Sequence, residues 1–287
     1  MLHIVTDSAT DMPLAWREQF DIHVIPVNLC IQGKTYKDEI DLDCERFLEL
    51  VARTRQIPTT AQPAPHDYIE LYRSIAKPGD TILSIHLSSK LSGTYASAEM
   101  AKQEVGEQLE IVPFDSLSGS AATAFMAREA RQLANKGAGL DIILERLAYI
   151  RDRVRIAFTL DTLEYAVMSG RIRRLQAAVV SVLQIKPIVE VRNGLIEMTD
   201  KVRTRKRATA RLIEKMQASF GDQPINVAII HAWASEAGEA LCHQVQRSLN
   251  CQEVFIDQLS NGVASHLGPG TVGIVAYPIL QNRLRPT

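Results

Sequence analysis

The 287-residue chain is 46% hydrophobic and 23% charged and carries a formal net charge of -1. This is ordinary globular composition, long enough for two modest domains. No window approaches the ~18 consecutive apolar residues of a membrane span.

Four cysteines (Cys30, Cys44, Cys242, Cys251) form no C-x-x-C pair and sit at no metal-ligand spacing. They read as buried or idle thiols in a reducing compartment. The opening "MLHIVTDSAT" has no basic n-region and only a short apolar run, so the expectation is a cytoplasmic protein.

In chain order, "LHIVTD" predicts a strand that runs into a polar loop at Asp7-Ser8. Asp11 and Pro13 then signal the start of a helix over "DMPLAWREQF". "IHVIPVN" predicts a buried strand and "LCIQGKTYKD" a turn around Gly33. "DCERFLELVART" has Phe47, Leu48 and Val51 at helical spacing. A helix over "APHDYIELYRSIA", a turn at Lys77–Asp80 and a strand over "TILSIHLS" follow. A helix from "SSKLSGTYASAEMA", a strand over "LEIVPFD" and a helix from Leu117 to Asn135 come next. Strands alternating with helices at this interval argue for a parallel α/β sheet, whose functional groups gather at the strands' carboxyl ends. Asp7-Ser8, Ser88-Ser89 and Asp115-Ser116 fall there.

After residue 155 the rhythm changes. "RIAFTL" predicts a strand before a short helix, and residues 177–185 are apolar. "KPIVEVRNGLIEMTDKVR" predicts two strands joined at Asn193-Gly194, a strong hairpin signal. A helix from Thr204 to Phe220, a strand over "INVAIIHAW", a helix from Glu236 to Leu249 and a strand over "QEVFIDQL" complete the pattern. The expected architecture is therefore α/β in two domains. Residues 1–154 form a parallel-sheet domain, residues 155–287 a domain with a mainly antiparallel sheet, and a ligand cleft lies between them.

Familiar catalytic signatures fail. "GKT" at Gly33 lacks the first glycine of a phosphate loop, since Asn28 stands there. Gly268, Gly270 and Gly273 spell G-x-G-x-x-G, but the strand-like "TVGIVAY" overlaps and follows them where a helix is needed. No G-x-S-x-G elbow or HExxH helix is present, the histidines are scattered, and no cofactor is expected. Three basic runs, "RDRVR", "RIRR" and "KVRTRKR", read as solvated faces or as a docking surface for an acidic partner or membrane. Nucleic acid is disfavoured because the aromatics that stack on bases are absent nearby.

What remains is hydroxyls near glycines. Ser88, Ser89, Ser92 and Thr94 crowd a helix start, where free backbone N–H groups favour an anion, and where serine also serves simply as a cap. Thr60 lies in a proline-stiffened loop, His266 in a glycine-rich turn, and Arg171 follows Gly170 at a helix end.

Taken in order, several segments resemble the DegV family, bacterial fatty-acid-binding proteins. They are "TDS" at residue 6, "TAQP" at Thr60–Pro63, "SSKLSGTY" at Ser88–Tyr95 and Asp115-Ser116. "GRI" at Gly170, the "LQIKPI" stretch and "HLGPGT" at His266–Thr271 complete the set. The resemblance spans nearly the whole chain. It implies two α/β domains with one long-chain fatty acid buried between them. Its carboxylate would be held by Thr60 and Ser92, with Ser88, Gly93 and Thr94 in the same segment and with His266 and Arg171 in the surrounding network. It further implies a carrier without catalysis of its own that presents the acid to a separate fatty-acid kinase. Arg203 would stand at the docking surface, and transient membrane contact would fit this role. Ala61 departs from the family's usual serine and removes one hydroxyl. The competing reading is a serine hydrolase or phosphotransferase acting on an acyl substrate, with Ser92 activated by His266.

Overall fold

The computed structural model describes residues 1–106, 109–173 and 185–280. The first half contains strands β1 (Leu2–Asp7), β2 (Ile22–Ile25), β3 (Asn28–Ile31), β4 (Lys34–Lys37), β5 (Thr59–Ala61), β6 (Thr81–His86) and β7 (Glu110–Asp115). Its helices are α1 (Leu14–Gln19), α2 (Cys44–Thr54), α3 (Pro65–Ile75), α4 (Thr94–Val105), α5 (Ala121–Asn135) and α6 (Leu140–Arg153).

Strands β2-β1-β6-β7 form a sheet in which every neighbouring pair is parallel. Alternation along the strands sends side chains to two separate cores. Val5, Ile82 and Ile111 face the Tyr68 and Tyr72 of α3 and the Ala98 and Ala101 of α4. Ile4, Leu83 and Ile85 face α5 and α6. With both faces covered, the strands must be apolar throughout, which is how they read in sequence.

The second half supplies β8 (Arg155–Thr159), α7 (Glu164–Ser169), β9 (Ile172–Arg173), β10 (Lys186–Arg192), β11 (Leu195–Val202) and α8 (Arg205–Phe220). It continues with β12 (Ile225–His231), α9 (Ser235–Ser248), β13 (Cys251–Gln258), α10 (Asn261–Leu267) and β14 (Val272–Pro278). Strands β13-β12-β14-β8-β10-β11-β9 make a seven-stranded sheet. It is antiparallel except where β12 meets β13 and β11 meets β9. The β10–β11 hairpin turns at Asn193 (φ 49) and Gly194 (φ 80), the doubly left-handed geometry that Asn-Gly favours. Ala208, Leu212 and Met216 of α8 and Leu241 and Val245 of α9 cover one face.

The strands before residue 155 and those after it belong to different sheets, but the hydrophobic packing is continuous. Phe125 of α5 packs against Tyr277 of β14, the rings tilted at 58° with centroids 4.8 Å apart, and Ile4, Phe158, Ile230 and Ala264 share that cluster. The α5–α6 pair is thus packed on both sheets.

Several features differ from the sequence expectation. Asp11 does not cap α1. Its backbone is left-handed (φ 46) and its buried Oδ1 accepts the Ser260 N–H at 2.7 Å, leaving Pro13 at the cap. Helix α5 starts at Ala121 rather than Leu117, because Leu117 (φ 46) and Ser120 (φ 54) turn the chain first. A small antiparallel sheet, β4-β3-β5, and helix α6 were not anticipated. The apolar stretch at 177–185 lies, apart from Ile185, outside the described residues.

Candidate functional site

Residues far apart in sequence meet where the small sheet, the start of α4 and helix α10 converge. Thr60 is on strand β5, not in a loop, and pairs with Leu29 across the sheet. His266 is in the last turn of α10, not in a glycine turn. Thr60 Oγ1 and His266 Nε2 are 2.8 Å apart across 206 residues of sequence.

Burial, with a smaller contribution from the Arg171 charge, pushes the His266 pKa down to about 4, so the ring is neutral at pH 7. Its Nδ1 is buried and has no partner among the described residues. We assign the proton to Nε2, since the other tautomer would bury an N–H donor with nothing to receive it. His266 then donates to Thr60, and the threonine hydroxyl proton is free to serve a ligand.

Ser92 lies just before α4, whose cap is Gly93. Its Oγ is 2.8 Å from Thr94 Oγ1 and also accepts the Thr94 N–H. The absence of a side chain at Gly93 lets Gln62 lie against it: a Cβ there would stand 2.9 Å from Gln62 Cδ. Arg171 is exposed beyond the left-handed C-cap Gly170 and donates Nη1 to the Ser169 carbonyl at 2.7 Å.

Thr60, Gln62, Ser92, Gly93, Arg171 and His266 line one cleft of about 1010 Å³, counting its mouth. The rest of its wall is largely apolar, with Val27, Leu91, Phe158, Val189, Ile196 and Val263 among the contributors. Phe158 can lie flat on the sheet only because Gly273 is its cross-strand partner: a Cβ there would come within 2.0 Å of the ring. That close approach accounts for the last glycine of the G-x-G-x-x-G pattern.

Ser88 and Thr94 do not line this cleft. Both are fully buried, and Ser88 Oγ donates to the Gly194 carbonyl at 2.7 Å, tying the α4 approach to the β10–β11 turn. Arg203 is exposed between β11 and α8. Ala61 lines the cleft beside Thr60. Sequence reading did not single out Gln62, although it lies inside the quoted "TAQP" segment. It also missed Ser120, a cleft residue whose buried hydroxyl lies by the Asp11 carboxyl. No local signal marks either.

An Asp–His–Ser relay does exist, but elsewhere. Asp7 Oδ2 lies 3.0 Å from His86 Nδ1, and His86 Nε2 lies 2.7 Å from Ser84 Oγ, which also receives the Tyr72 hydroxyl. All four side chains are buried. Asp7 also accepts the N–H groups of Ala9 and Leu87, so the relay joins the ends of β1 and β6. It offers a substrate no approach. Ser92, on the cleft, neighbours Thr94 rather than His266. Among the described residues no cluster could hold a metal ion, and no helix is long and apolar enough to cross a membrane.

Comparison with known proteins gives a consistent result. A family model for an uncharacterised protein of the DegV family matches residues 1–279. Protein DegV of Bacillus subtilis is 35% identical over 274 residues, covering 94% of this chain and 97% of its own. A crystal structure of the Bacillus subtilis DegV, called a fatty acid binding protein, superposes with TM-score 0.86 at 32% identity, covering 97% of this chain and 99% of that one. A DegV family protein from Thermus thermophilus, studied for fatty acid binding, gives TM-score 0.88 at 30% identity with the same coverage.

Proposed function

Because this chain belongs to the DegV family, we propose that it binds one long-chain fatty acid in the cleft and is a carrier rather than a catalyst. The observation that carries this reading is the joining of an apolar-walled cleft to the Thr60–His266 pair and Ser92. Burying a methylene is worth about 0.8 kcal/mol, so a long acyl chain contributes on the order of 10 kcal/mol before the cost of ordering it. Its carboxylate would lose several kcal/mol on leaving water unless hydrogen-bonded. The Thr60 hydroxyl, relieved of donating by the neutral His266, and the Ser92 hydroxyl supply those bonds. Arg171 at the rim adds an opposite charge without a buried ion pair.

A head group held by neutral hydroxyls is not locked in a bidentate guanidinium clamp and is left available to a second protein. The finer reading is that the second protein is a separate fatty-acid kinase, with exposed Arg203 of this chain in the docking surface, and that the work is cytoplasmic with transient membrane contact.

Organic extraction of the purified protein followed by mass spectrometry tests the ligand. A stoichiometric fatty acid is expected. Absence of lipid together with failure to bind added fatty acids would overturn the reading. Ser92→Ala and Thr60→Val should each weaken binding roughly tenfold while the fold survives, the loss of one hydrogen bond to a charged group. Unchanged affinity would remove that residue from the socket.

A further inference from the structure

A second cavity, of about 1260 Å³ counting its mouth, opens between the end of α6, strands β8 and β10, and helix α8. Its character is opposite to that of the lipid cleft. Four cationic side chains reach it from four different elements: Arg151 from α6, Arg155 from β8, Arg192 from β10 and Lys215 from α8. Two carboxylates accompany them. Glu190 is largely engaged, with Lys215 Nζ at 2.5 Å and Arg192 Nη2 at 3.0 Å, and these partners hold its pKa below the usual range against the opposing effect of burial. Asp152 has a side chain 64% exposed, with Oδ1 3.6 Å from Arg151 Nε, beyond hydrogen-bond reach.

Neither of the two remaining guanidinium groups has a hydrogen-bonded carboxylate among the described residues, and Arg155 is exposed. Arg151 packs over the Phe114 ring at 5.3 Å, and its Nε is buried without a hydrogen-bond partner among the described residues. Arg155 spends Nη1 on the carbonyls of Asp152 and Val154, which fixes its plane. Basic residues in the last turn of a helix are ordinarily explained by the helix dipole. That accounts for Arg151 and its neighbour Arg153. It does not account for Arg192 and Lys215 arriving at the same cavity from elements remote in sequence.

We propose that this cavity is a second ligand site, for a small soluble anion bearing phosphate. Four cations against two carboxylates leave the cavity with an excess of positive charge that attracts an anion, and guanidinium forks match phosphate oxygens in pairs. The site stands on its own, whatever occupies the lipid cleft. The two cavities are close: Ile156, Glu190 and Val191 line both.

Inorganic pyrophosphate and phosphate, titrated calorimetrically into the full chain at fixed ionic strength, provide the test. Saturable one-to-one binding is expected, weakened roughly tenfold or more by Arg151→Gln with Arg155→Gln, neither of which lines the lipid cleft. Thr60→Val should leave it unchanged. If the double variant does not fold, Arg192→Gln, at a side chain 54% exposed, should give the same direction of loss. No saturable binding, or equal binding by wild type and variants, overturns the proposal. So does binding to phosphatidic acid vesicles that excess pyrophosphate fails to displace, since the basic groups would then serve a membrane surface.

Discussion

His266 illustrates how one side chain couples the site to stability. Its pKa in the fold is depressed from 6.5 to about 4. Between those values the unfolded chain binds a proton that the folded one does not, so stability rises with pH across that window and is lost on acidification. The full effect is about 3 kcal/mol. Urea midpoints measured at pH 4.5 and pH 7 should therefore differ less in His266→Asn than in the wild type, and an equal difference would show that the ring is not buried neutral. Asp11 acts in the opposite sense. Burial raises its carboxyl from 3.8 to about 8, so its contribution is complete below about pH 4 and lost as the pH climbs to 8. Asp11→Asn keeps an acceptor for the Ser260 N–H. It should gain stability relative to wild type progressively from pH 5 to pH 9, and a constant offset would count against a protonated Asp11.

Among the elements, the start of α4 carries a test that separates packing from binding. Gly93 has φ -76, which any residue adopts, so alanine there introduces no backbone strain. The nearest atoms to the new Cβ would be those of the Gln62 side chain, from 2.9 Å. Gly93→Ala should leave stability within about 1 kcal/mol and lower affinity for a fatty acid, because Gln62 gives way into the cleft. Calorimetric melts beside lipid titrations check both, and unchanged affinity would place Gln62 outside the bound volume. Gly273→Ala differs in kind, since its Cβ would collide with the Phe158 ring inside the sheet. That variant should be strongly destabilised. At this scale local signals made some elements readable: the β10–β11 hairpin and the helix capped by Thr204 follow from their own residues, whereas α6 was missed although Ile143, Leu147 and Ile150 stand at helical spacing. Strand β5 was not readable, because three residues paired to a partner 31 positions away (Leu29 with Thr60) carry no periodic signal.

For the whole molecule, the cleft is walled by residues of the seven-stranded sheet, of the small sheet, of α10 and of the loops that follow β1, β6 and β7. A ligand bound there bridges all of them and is absent from the unfolded chain. At free ligand a hundredfold above Kd it should add about 2.7 kcal/mol of stability, growing with the logarithm of concentration. Delipidated protein titrated with a long-chain fatty acid should thus show a melting temperature that rises with ligand, and a flat response would deny that the cleft is the binding site. Arg171→Ala leaves the apolar walls intact and should shift that response to higher ligand concentration.

The sequence by itself determined the alternation of strands and helices, the change of rhythm near residue 155 and the family, because these rest on local pattern and on ordered motifs. It also named Thr60, Ser92, Arg171 and His266, but not how they act. Tertiary structure alone decided that Thr60 meets His266, that Ser88 serves the Gly194 turn and that Asp11 turns inward to α10. It also decided that Gln62 and Ser120 face the cleft and that four cations share a second cavity. The reason is physical. Burial and hydrogen-bond partnership are properties of pairs brought together across as many as 249 residues, and nothing in a residue's own neighbourhood specifies its distant partner.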